Sequence, residues 1–170
     1  MFDIKRINCS FKNVHSRYYI DTNGVVYTSI SRNTKRIMVK GKVLNMNKFR
    51  NDNLSSMNNT TRMLIEVPNT NHEYYMLNDG SILQRLKTTI KNNNEVYVCL
   101  ILIDGNSRGN YKLLSRLVAG SFLGDVTGKE VHHKDRDRTN NKISNLEILT
   151  KEEHRGKGNF RKHHPSKSND

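Results

Sequence analysis

The stretch that decides the fold of this 170-residue chain runs from Val131 to His154 and reads VHHKDRDRTNNKISNLEILTKEEH. Its opening residues are typical of the end of a strand that carries two adjacent histidines. Polar and charged residues fill 134–144 almost completely, which predicts a loop. Leu146 and Ile148 then alternate with polar neighbours, which predicts a short second strand with one apolar face.

A helix is predicted to follow the second strand. Thr150 and Glu153 have the spacing of a capping box, in which each side chain satisfies the other residue's backbone N–H. His154 then lies in the first turn of that helix. Because a hairpin can fold back against the helix that follows it, we expect His154 to approach the pair His132 and His133.

The two adjacent histidines cannot perform the same task, because neighbouring residues of a strand point to opposite faces. Hydrolysis of a phosphodiester needs an activated water and a cation that stabilises charge on the phosphate. One histidine of the pair can bind a metal ion while the other acts as a general base near pH 7. A basic loop with incidental histidines is the alternative, but the ordered pair, Asn-rich loop and capped helix favour a catalytic site.

These residues resemble the HNH nuclease motif, the ββα-metal fold, in the form found in phage- and intron-associated homing endonucleases. The resemblance is specific over 131–154 and weaker over 111–122, which is similar to the helix that precedes the motif. It implies one role for each matching position: His133 as general base, His132 and His154 as metal ligands, Asn145 as the residue that holds the loop and orients the base, and Asn141 as a structural brace of the loop. Two departures are Ser115, where relatives often carry His, and the glycines that follow His154 closely.

Two β-hairpins are predicted upstream, at Tyr18–Tyr27 and Tyr74–Leu83. Each has a turn that ends in glycine, Asn23-Gly24 in the first and Asp79-Gly80 in the second, and such turns require positive φ. The two segments align without a gap at an offset of 56 residues. They are either copies of one module or a chance similarity of common turns. They resemble the N-terminal hairpin module that is often attached to such nucleases.

The sequence as a whole predicts an α+β fold. Antiparallel β-hairpin or sheet modules, which duplication of one module can explain, are followed by a C-terminal ββα-metal HNH motif. Residues 45–62 are interpreted as a loop with at most one helical turn, 95–103 as a buried strand, and 111–123 as a helix packed on the sheet. We expect a hairpin module for DNA recognition at 1–60. A second hairpin module with the nuclease domain is expected at 61–158, and a disordered basic tail at 159–170.

Charge points to a polyanionic partner. The chain has 29 Lys and Arg against 16 Asp and Glu, a net charge of +13 that is shared almost equally between its halves. Double-stranded DNA is the expected partner, since two-stranded ribbons fit the major groove. The predicted contacts are cations of the hairpin modules and of the catalytic loop: Arg17, Arg32, Lys35, Arg36, Lys40, Lys42, Arg85, Lys87, Lys134, Arg136, Arg138 and Lys142. Solvated strand faces are the alternative for any one of them.

Composition excludes other classes. The sequence has no apolar stretch long enough to span a membrane, and its two cysteines, interpreted as buried, cannot build a disulfide scaffold or a four-cysteine zinc site. The predicted function is therefore a metal-dependent DNA endonuclease, and a site-specific homing enzyme in particular. The alternatives are a less specific HNH nuclease of phage packaging or defence, and an inactive DNA-binding protein.

The cofactor expected from the resemblance is Mg²⁺, with Mn²⁺ or another divalent transition metal as a substitute, because histidine ligands also accept softer ions. A single HNH centre cuts one strand, so a monomer should nick DNA and a dimer could cut both strands. The resemblance places the protein in the cytoplasm of a bacterial host, encoded by a phage or an intron.

Overall fold

A computed structural model describes residues 3–7, 17–30, 34, 36–39, 41–54, 64–100 and 110–159. The strands are β1 (Ile4–Arg6), β2 (Tyr18–Asp21), β3 (Val26–Ser29), β4 (Arg36–Val39), β5 (Lys42–Asn45), β6 (Leu64–Glu66), β7 (Tyr74–Leu77), β8 (Ile82–Arg85), β9 (Thr88–Ile90), β10 (Val96–Cys99), β11 (Tyr111–Leu113), β12 (Glu130–His133) and β13 (Leu146–Leu149). The helices are α1 (Met46–Leu54), α2 (Leu114–Phe122) and α3 (Lys151–Asn159), and a short 3₁₀ turn, Ile143–Asn145, precedes β13.

Both predicted hairpins form and lie in one six-stranded antiparallel sheet of order β1-β2-β3-β8-β7-β6. The two central strands pair Tyr27 with Arg85, Thr28 with Gln84 and Ser29 with Leu83. At the offset of 56 residues Thr28 is equivalent to Gln84, and these two residues pair with each other. Exchanging the two hairpins therefore leaves the register unchanged, which means that a local two-fold axis relates them. The boundary predicted near residue 60 therefore does not separate two sheets, because strands from both sides pair in the same one.

The two hairpin turns have the same backbone geometry. The amide of Gly24 donates to the carbonyl of Asp21 at 3.0 Å, and the amide of Gly80 donates to that of Leu77 at 2.9 Å. Both glycines have positive φ, +79° and +77°. This equivalence of turns, register and offset favours duplication of one module.

Each hairpin buries corresponding residues against a different partner. Ile20 and Val26 of the first copy pack in one core with α2, β10 and β13. Met76 and Ile82, their equivalents in the second copy, pack in another core with α1 and Ile37. The first copy therefore supports the C-terminal elements, and the second supports the β4–β5 hairpin and α1.

Three other sequence predictions differ from the structure. The segment interpreted as a loop over 45–62 contains the nine-residue helix α1, whose first turn is capped by the Asn45 side chain. The helix predicted over 111–123 begins at Leu114, because Tyr111–Leu113 pairs with β10 as β11. Cys99, expected to be buried, is exposed. Cys9, residues 101–103 and the tail beyond Asn159 lie outside the described residues.

The predicted strand, loop, strand and helix over 131–154 are present as β12, β13 and α3. The capping box forms as expected: the Thr150 amide donates to the Glu153 carboxylate at 2.7 Å, and the Glu153 amide donates to Thr150 Oγ1 at 3.2 Å. Within the described parts of the chain, every helix is too short to cross a membrane.

Candidate active site

The site is built on the β12–β13 hairpin. In this antiparallel pair His132 lies opposite Glu147, and His133 lies opposite Leu146. Both histidines are only partly exposed. Because they are adjacent on one strand, their side chains point to opposite sides, and each meets a different set of neighbours.

His132 faces the helix and meets His154. Their rings are 5.4 Å apart between centroids and nearly perpendicular, at 72°. The capping box starts α3 immediately after β13, and this places His154, in the first turn, above the strand that carries His132. The approach of these two imidazoles is the convergence that the sequence pattern predicts.

A carboxylate lies beside each of these two imidazoles. Glu147 Oε1 is 3.9 Å from His132 Nε2, and Glu130 Oε2 is 3.6 Å from His154 Nδ1. Glu147 also accepts a hydrogen bond from Lys157, one turn further along α3 than His154. The ammonium group lowers the pKa of Glu147 below its usual range, mainly through this hydrogen bond.

Burial affects the charge state of His132. Desolvation lowers the pKa of His132 below its ordinary value of 6.5, and the nearby Glu147 opposes this shift only in part. The lowered pKa favours the neutral imidazole, which is the form that can coordinate a cation.

His133 points to the other side and meets Asn141. Its Nε2 atom is 3.2 Å from Asn141 Oδ1. The Asn141 amide nitrogen donates to the carbonyls of Arg138 and Thr139, at 3.2 and 3.1 Å, so its oxygen must face the histidine. Because that oxygen can only accept, Nε2 carries the proton and Nδ1 of a neutral His133 has a free lone pair.

The Asn145 side chain forms hydrogen bonds with other residues of the loop, whereas His133, the predicted general base, contacts Asn141. The Asn145 amide nitrogen donates to Asp135 Oδ1 and to the Asn140 carbonyl, both at 2.8 Å, and its oxygen accepts from the Asp135 amide at 3.1 Å. Hydrogen bonds from Asn140 and then Asn145 lower the pKa of Asp135. The residue that touches the His133 ring is Asn141, for which the sequence predicted only the bracing role.

His132, His133 and His154 line a cleft of about 560 Å³. Five cations and two acids stand around it beside the three histidines: Arg116, Lys129, Arg136, Arg138, Lys157, Glu95 and Glu130. The cations outnumber the acids, so the cleft suits an anionic substrate.

Several of the cations predicted to contact DNA have partners within the protein. Arg138 Nη1 is 3.4 Å from Glu95 Oε1, Lys134 Nζ donates to the Ser144 carbonyl at 2.9 Å, and Arg17 stacks over the Tyr18 ring. Four others are exposed: Arg36, Arg85, Lys87 and Lys142. Arg32, Lys35 and Lys40 lie outside the described residues, as does the side chain of Lys42. Arg136 and Arg138 line the cleft, so the structure brings these two predicted residues to the histidines.

The sequence predicted Arg136 and Arg138 near the histidines but not the other charged residues discussed here, which are Glu130, Glu147, Arg116 and Lys157. Glu147 is brought opposite His132 by the strand register, which only the structure gives. Glu130 could have been found from its place two residues before His132, on the same face of the strand. Lys157 follows His154 by three residues, which puts both on one face of α3. Arg116 is held by the carbonyls of Lys129 and Val126 at 2.8 and 2.6 Å, and no local pattern predicts that contact.

A complete protein-built metal site is not present among the described residues, since no three His, Cys, Asp or Glu side chains form a suitable cluster there. The pair His132 and His154 supplies two nitrogen donors. Any cation held there would take its remaining ligands from water or from a bound phosphate group.

Comparison with known proteins adds an independent observation. Residues 112–155 match the family model described as HNH endonuclease. These residues form an HNH endonuclease domain. The matched range contains α2, β12, β13 and the first turn of α3, and therefore His132, His133 and His154.

The HNH domain lies in a fold that is also found in a larger protein. The chain is similar to a solved structure that concerns DNA binding and cleavage by the HNH homing endonuclease I-HmuI, with a TM-score of 0.52 and 19% sequence identity. The match covers 94% of this chain but 59% of that protein, so this chain spans little more than half of its length. It establishes a shared fold that includes the hairpin sheet. No curated protein matches the chain in sequence.

Proposed function

We propose that this protein is a metal-dependent DNA endonuclease that hydrolyses phosphodiester bonds. One observation carries the proposal: within the HNH segment, the His132 and His154 rings meet at the same basic cleft that His133 lines while bonded to Asn141. The arrangement supplies a cation site, a base and a positive surface, which phosphodiester hydrolysis requires.

The two imidazoles fit a single divalent ion. Zinc–nitrogen distances to histidine are about 2.0–2.1 Å, and at distances of this order two rings bound to one ion stand roughly as far apart as the observed 5.4 Å. Glu130 and Glu147 lie where carboxylates orient histidine ligands. His132 and His154 would hold the ion, for which we propose Mg²⁺ or Mn²⁺. The bound ion would stabilise negative charge on the phosphate and on the departing oxygen.

His133 is proposed as the general base. Its Nδ1 lone pair accepts a proton from the attacking water, while Nε2–H remains bonded to Asn141 Oδ1. Asn141 cannot rotate to present its nitrogen, because that nitrogen is held by two backbone carbonyls. The imidazolium that forms keeps both its orientation and its hydrogen bond.

DNA is the proposed substrate, and the hairpin sheet is proposed as its recognition surface. The similarity to a homing endonuclease extends over this sheet as well as over the HNH segment. The exposed cations Arg36, Arg85 and Lys87 lie on or beside the sheet modules, where they can contact phosphates or base edges. We therefore propose site-specific cleavage by a monomer that nicks one strand.

Supercoiled plasmid cleavage tests the proposal. The purified protein should convert supercoiled plasmid to the nicked form with Mg²⁺ or Mn²⁺, and EDTA should stop the reaction. The variant His133→Ala should bind DNA with an affinity close to that of the unaltered protein and cleave it at least about 100-fold more slowly. Equal cleavage by both proteins would exclude His133 as the base.

Product lengths on a long linear DNA distinguish the modes of action. Discrete products indicate a site-specific enzyme, and a continuous smear indicates a general HNH nuclease. DNA binding without cleavage under any divalent cation would leave a DNA-binding protein with an inactive HNH scaffold.

A further inference from the structure

We infer that Gly24, in the turn of the first hairpin, is a positioning residue for the general base of the HNH site. The inference rests on the proposed nuclease function, and it assigns a second task to a module proposed for DNA recognition. The turn would fix the backbone of Asn141, and Asn141 in turn would fix the ring of His133.

The turn and the catalytic loop are in direct contact. The Ile143 amide donates to the Thr22 carbonyl at 2.9 Å, which ties the loop to the hairpin through the main chain. A Cβ atom placed on Gly24 would lie 2.8 Å from the Asn141 carbonyl oxygen and 3.2 Å from Asn141 Cβ. Glycine is therefore required here for close approach as well as for its φ of +79°.

The turn that makes this contact is rigid. Asp21 is buried, and its carboxylate accepts hydrogen bonds from the amides of Asn23 and Val25 and from the Tyr27 hydroxyl, each at 2.9 Å. A turn braced in this way cannot easily move aside. An added side-chain atom at position 24 should therefore displace Asn141 rather than the turn.

A displacement of Asn141 would affect the general base His133 through one hydrogen bond. The Asn141 Oδ1 atom is the partner of His133 Nε2, at 3.2 Å. A shift of a few tenths of an ångström in the Asn141 backbone changes the direction in which this oxygen points. Misplacement of a catalytic group by about 1 Å can cost about 100-fold in rate.

The second hairpin provides a matched control. Gly80 occupies the equivalent turn with φ of +77°, so a substitution there imposes the same backbone strain. Among the described residues, a Cβ atom on Gly80 would meet Leu54 Cδ1 at 3.5 Å and Arg50 Cδ at 3.8 Å, which are ordinary contacts with α1 and not with the catalytic loop. Any difference between the two positions therefore reports the contact with Asn141.

The experiment compares Gly24→Ala and Gly80→Ala in the full-length protein, under single-turnover conditions with Mn²⁺ and a nicked-product readout. Asn tolerates positive φ better than Ala, so Gly24→Asn and Gly80→Asn repeat the test with less strain. We expect both Gly24 variants to lose up to about 2- to 13-fold in the cleavage rate constant at saturating DNA, which is the range for loss of one hydrogen bond worth about 0.5–1.5 kcal/mol. The DNA concentration for half-maximal rate should stay within about twofold, and both Gly80 variants should cleave at close to the normal rate.

A double-mutant cycle with Asn141→Ala tests the route. Once the Asn141 side chain is absent, Gly24→Ala should have little further effect on the rate. Additive losses would mean that Gly24 acts by another path and would overturn the inference.

Amide hydrogen exchange gives a readout that does not need cleavage. Gly24→Ala should speed exchange at Ile143 and Asn145, and Gly80→Ala should not. Normal amide exchange in this loop would refute the inference about Gly24 and leave the nuclease proposal intact. A normal cleavage rate for Gly24→Ala, when His133→Ala has lost cleavage, would have the same meaning. Altered exchange in a protein that never cleaves would uphold the contact and reject the proposed nuclease function.

Discussion

The substitution Asn141→Ala offers a quantitative test of how the base is held. It removes three hydrogen bonds, one to His133 Nε2 at 3.2 Å and two to loop carbonyls at 3.2 and 3.1 Å. Each is worth about 0.5–1.5 kcal/mol net. The bond to His133 then corresponds to a fall of about 2- to 13-fold in kcat, since about 1.4 kcal/mol is a tenfold change in rate. The two loop bonds together should lower the free energy of unfolding by about 1–3 kcal/mol.

The assay for Asn141→Ala measures single-turnover nicking at saturating DNA, together with urea unfolding and DNA affinity. Thr139→Ala is the control, because it removes a loop hydrogen bond to Asp137 at 2.7 Å that does not involve His133. We expect the control to cleave at a rate within about twofold of normal. A normal rate for Asn141→Ala, or equal losses in both variants, would refute the role of Asn141 in orienting the base.

Three further predictions concern the metal, the loop and the core. His132→Asp replaces an imidazole by an oxygen ligand, which suits Mg²⁺ better than Co²⁺ or Ni²⁺. The ratio of the cleavage rate with Mg²⁺ to the rate with Co²⁺ or Ni²⁺ should therefore rise. An unchanged ratio in parallel cleavage assays would exclude His132 as a ligand. Folding lowers the Asp135 pKa below 3.8, so the ionised carboxylate stabilises the loop above that pH, and this stabilisation is lost as the pH falls through the folded pKa. The free energies of unfolding of Asp135→Asn and of the unaltered protein, measured in urea between pH 3 and pH 6, should therefore converge at the acidic end. A difference that stays constant with pH would contradict this. Leu117→Ala leaves a cavity at a fully buried position of the core that α2 shares with the first hairpin. It should lower the free energy of unfolding, measured by chemical denaturation, by about 2–5 kcal/mol. A loss near zero would contradict that packing.

Local chemistry made much of the C-terminal half predictable from the sequence. The capping box of Thr150 and Glu153 predicts where α3 begins, and strand alternation predicts that His132 and His133 have separate surroundings. The hairpin turns at Gly24 and Gly80 were predictable for the same reason, since positive φ restricts the residues that can stand there. Each of these features depends on residues only a few positions apart.

Features that depend on contacts between distant segments were not predictable. Helix α1 has a polar sequence without a clear apolar period, so its capping by Asn45 and its packing against the second hairpin become visible only in the fold. The pairing of His133 with Asn141 rather than Asn145 depends on the path of the loop. The carboxylate of Glu147 reaches His132 through strand register, which the sequence alone leaves open.

The joining of both hairpins in one sheet has the same explanation. The sequence showed two similar hairpins separated by a polar segment, a pattern that suits two separate modules equally well. Pairing of β3 with β8 makes them one sheet, and packing then gives them different partners. The first copy contacts the catalytic loop through Thr22 and Gly24.

We propose that His132 and His154 share one divalent ion beside the general base His133. Electron spin-echo envelope modulation of bound Mn²⁺ tests it directly, because imidazole nitrogens that coordinate the ion modulate the echo. We expect coupling from two histidine nitrogens in the unaltered protein and from one in either His132→Ala or His154→Ala. Absence of nitrogen coupling, or coupling that both variants retain unchanged, would contradict it.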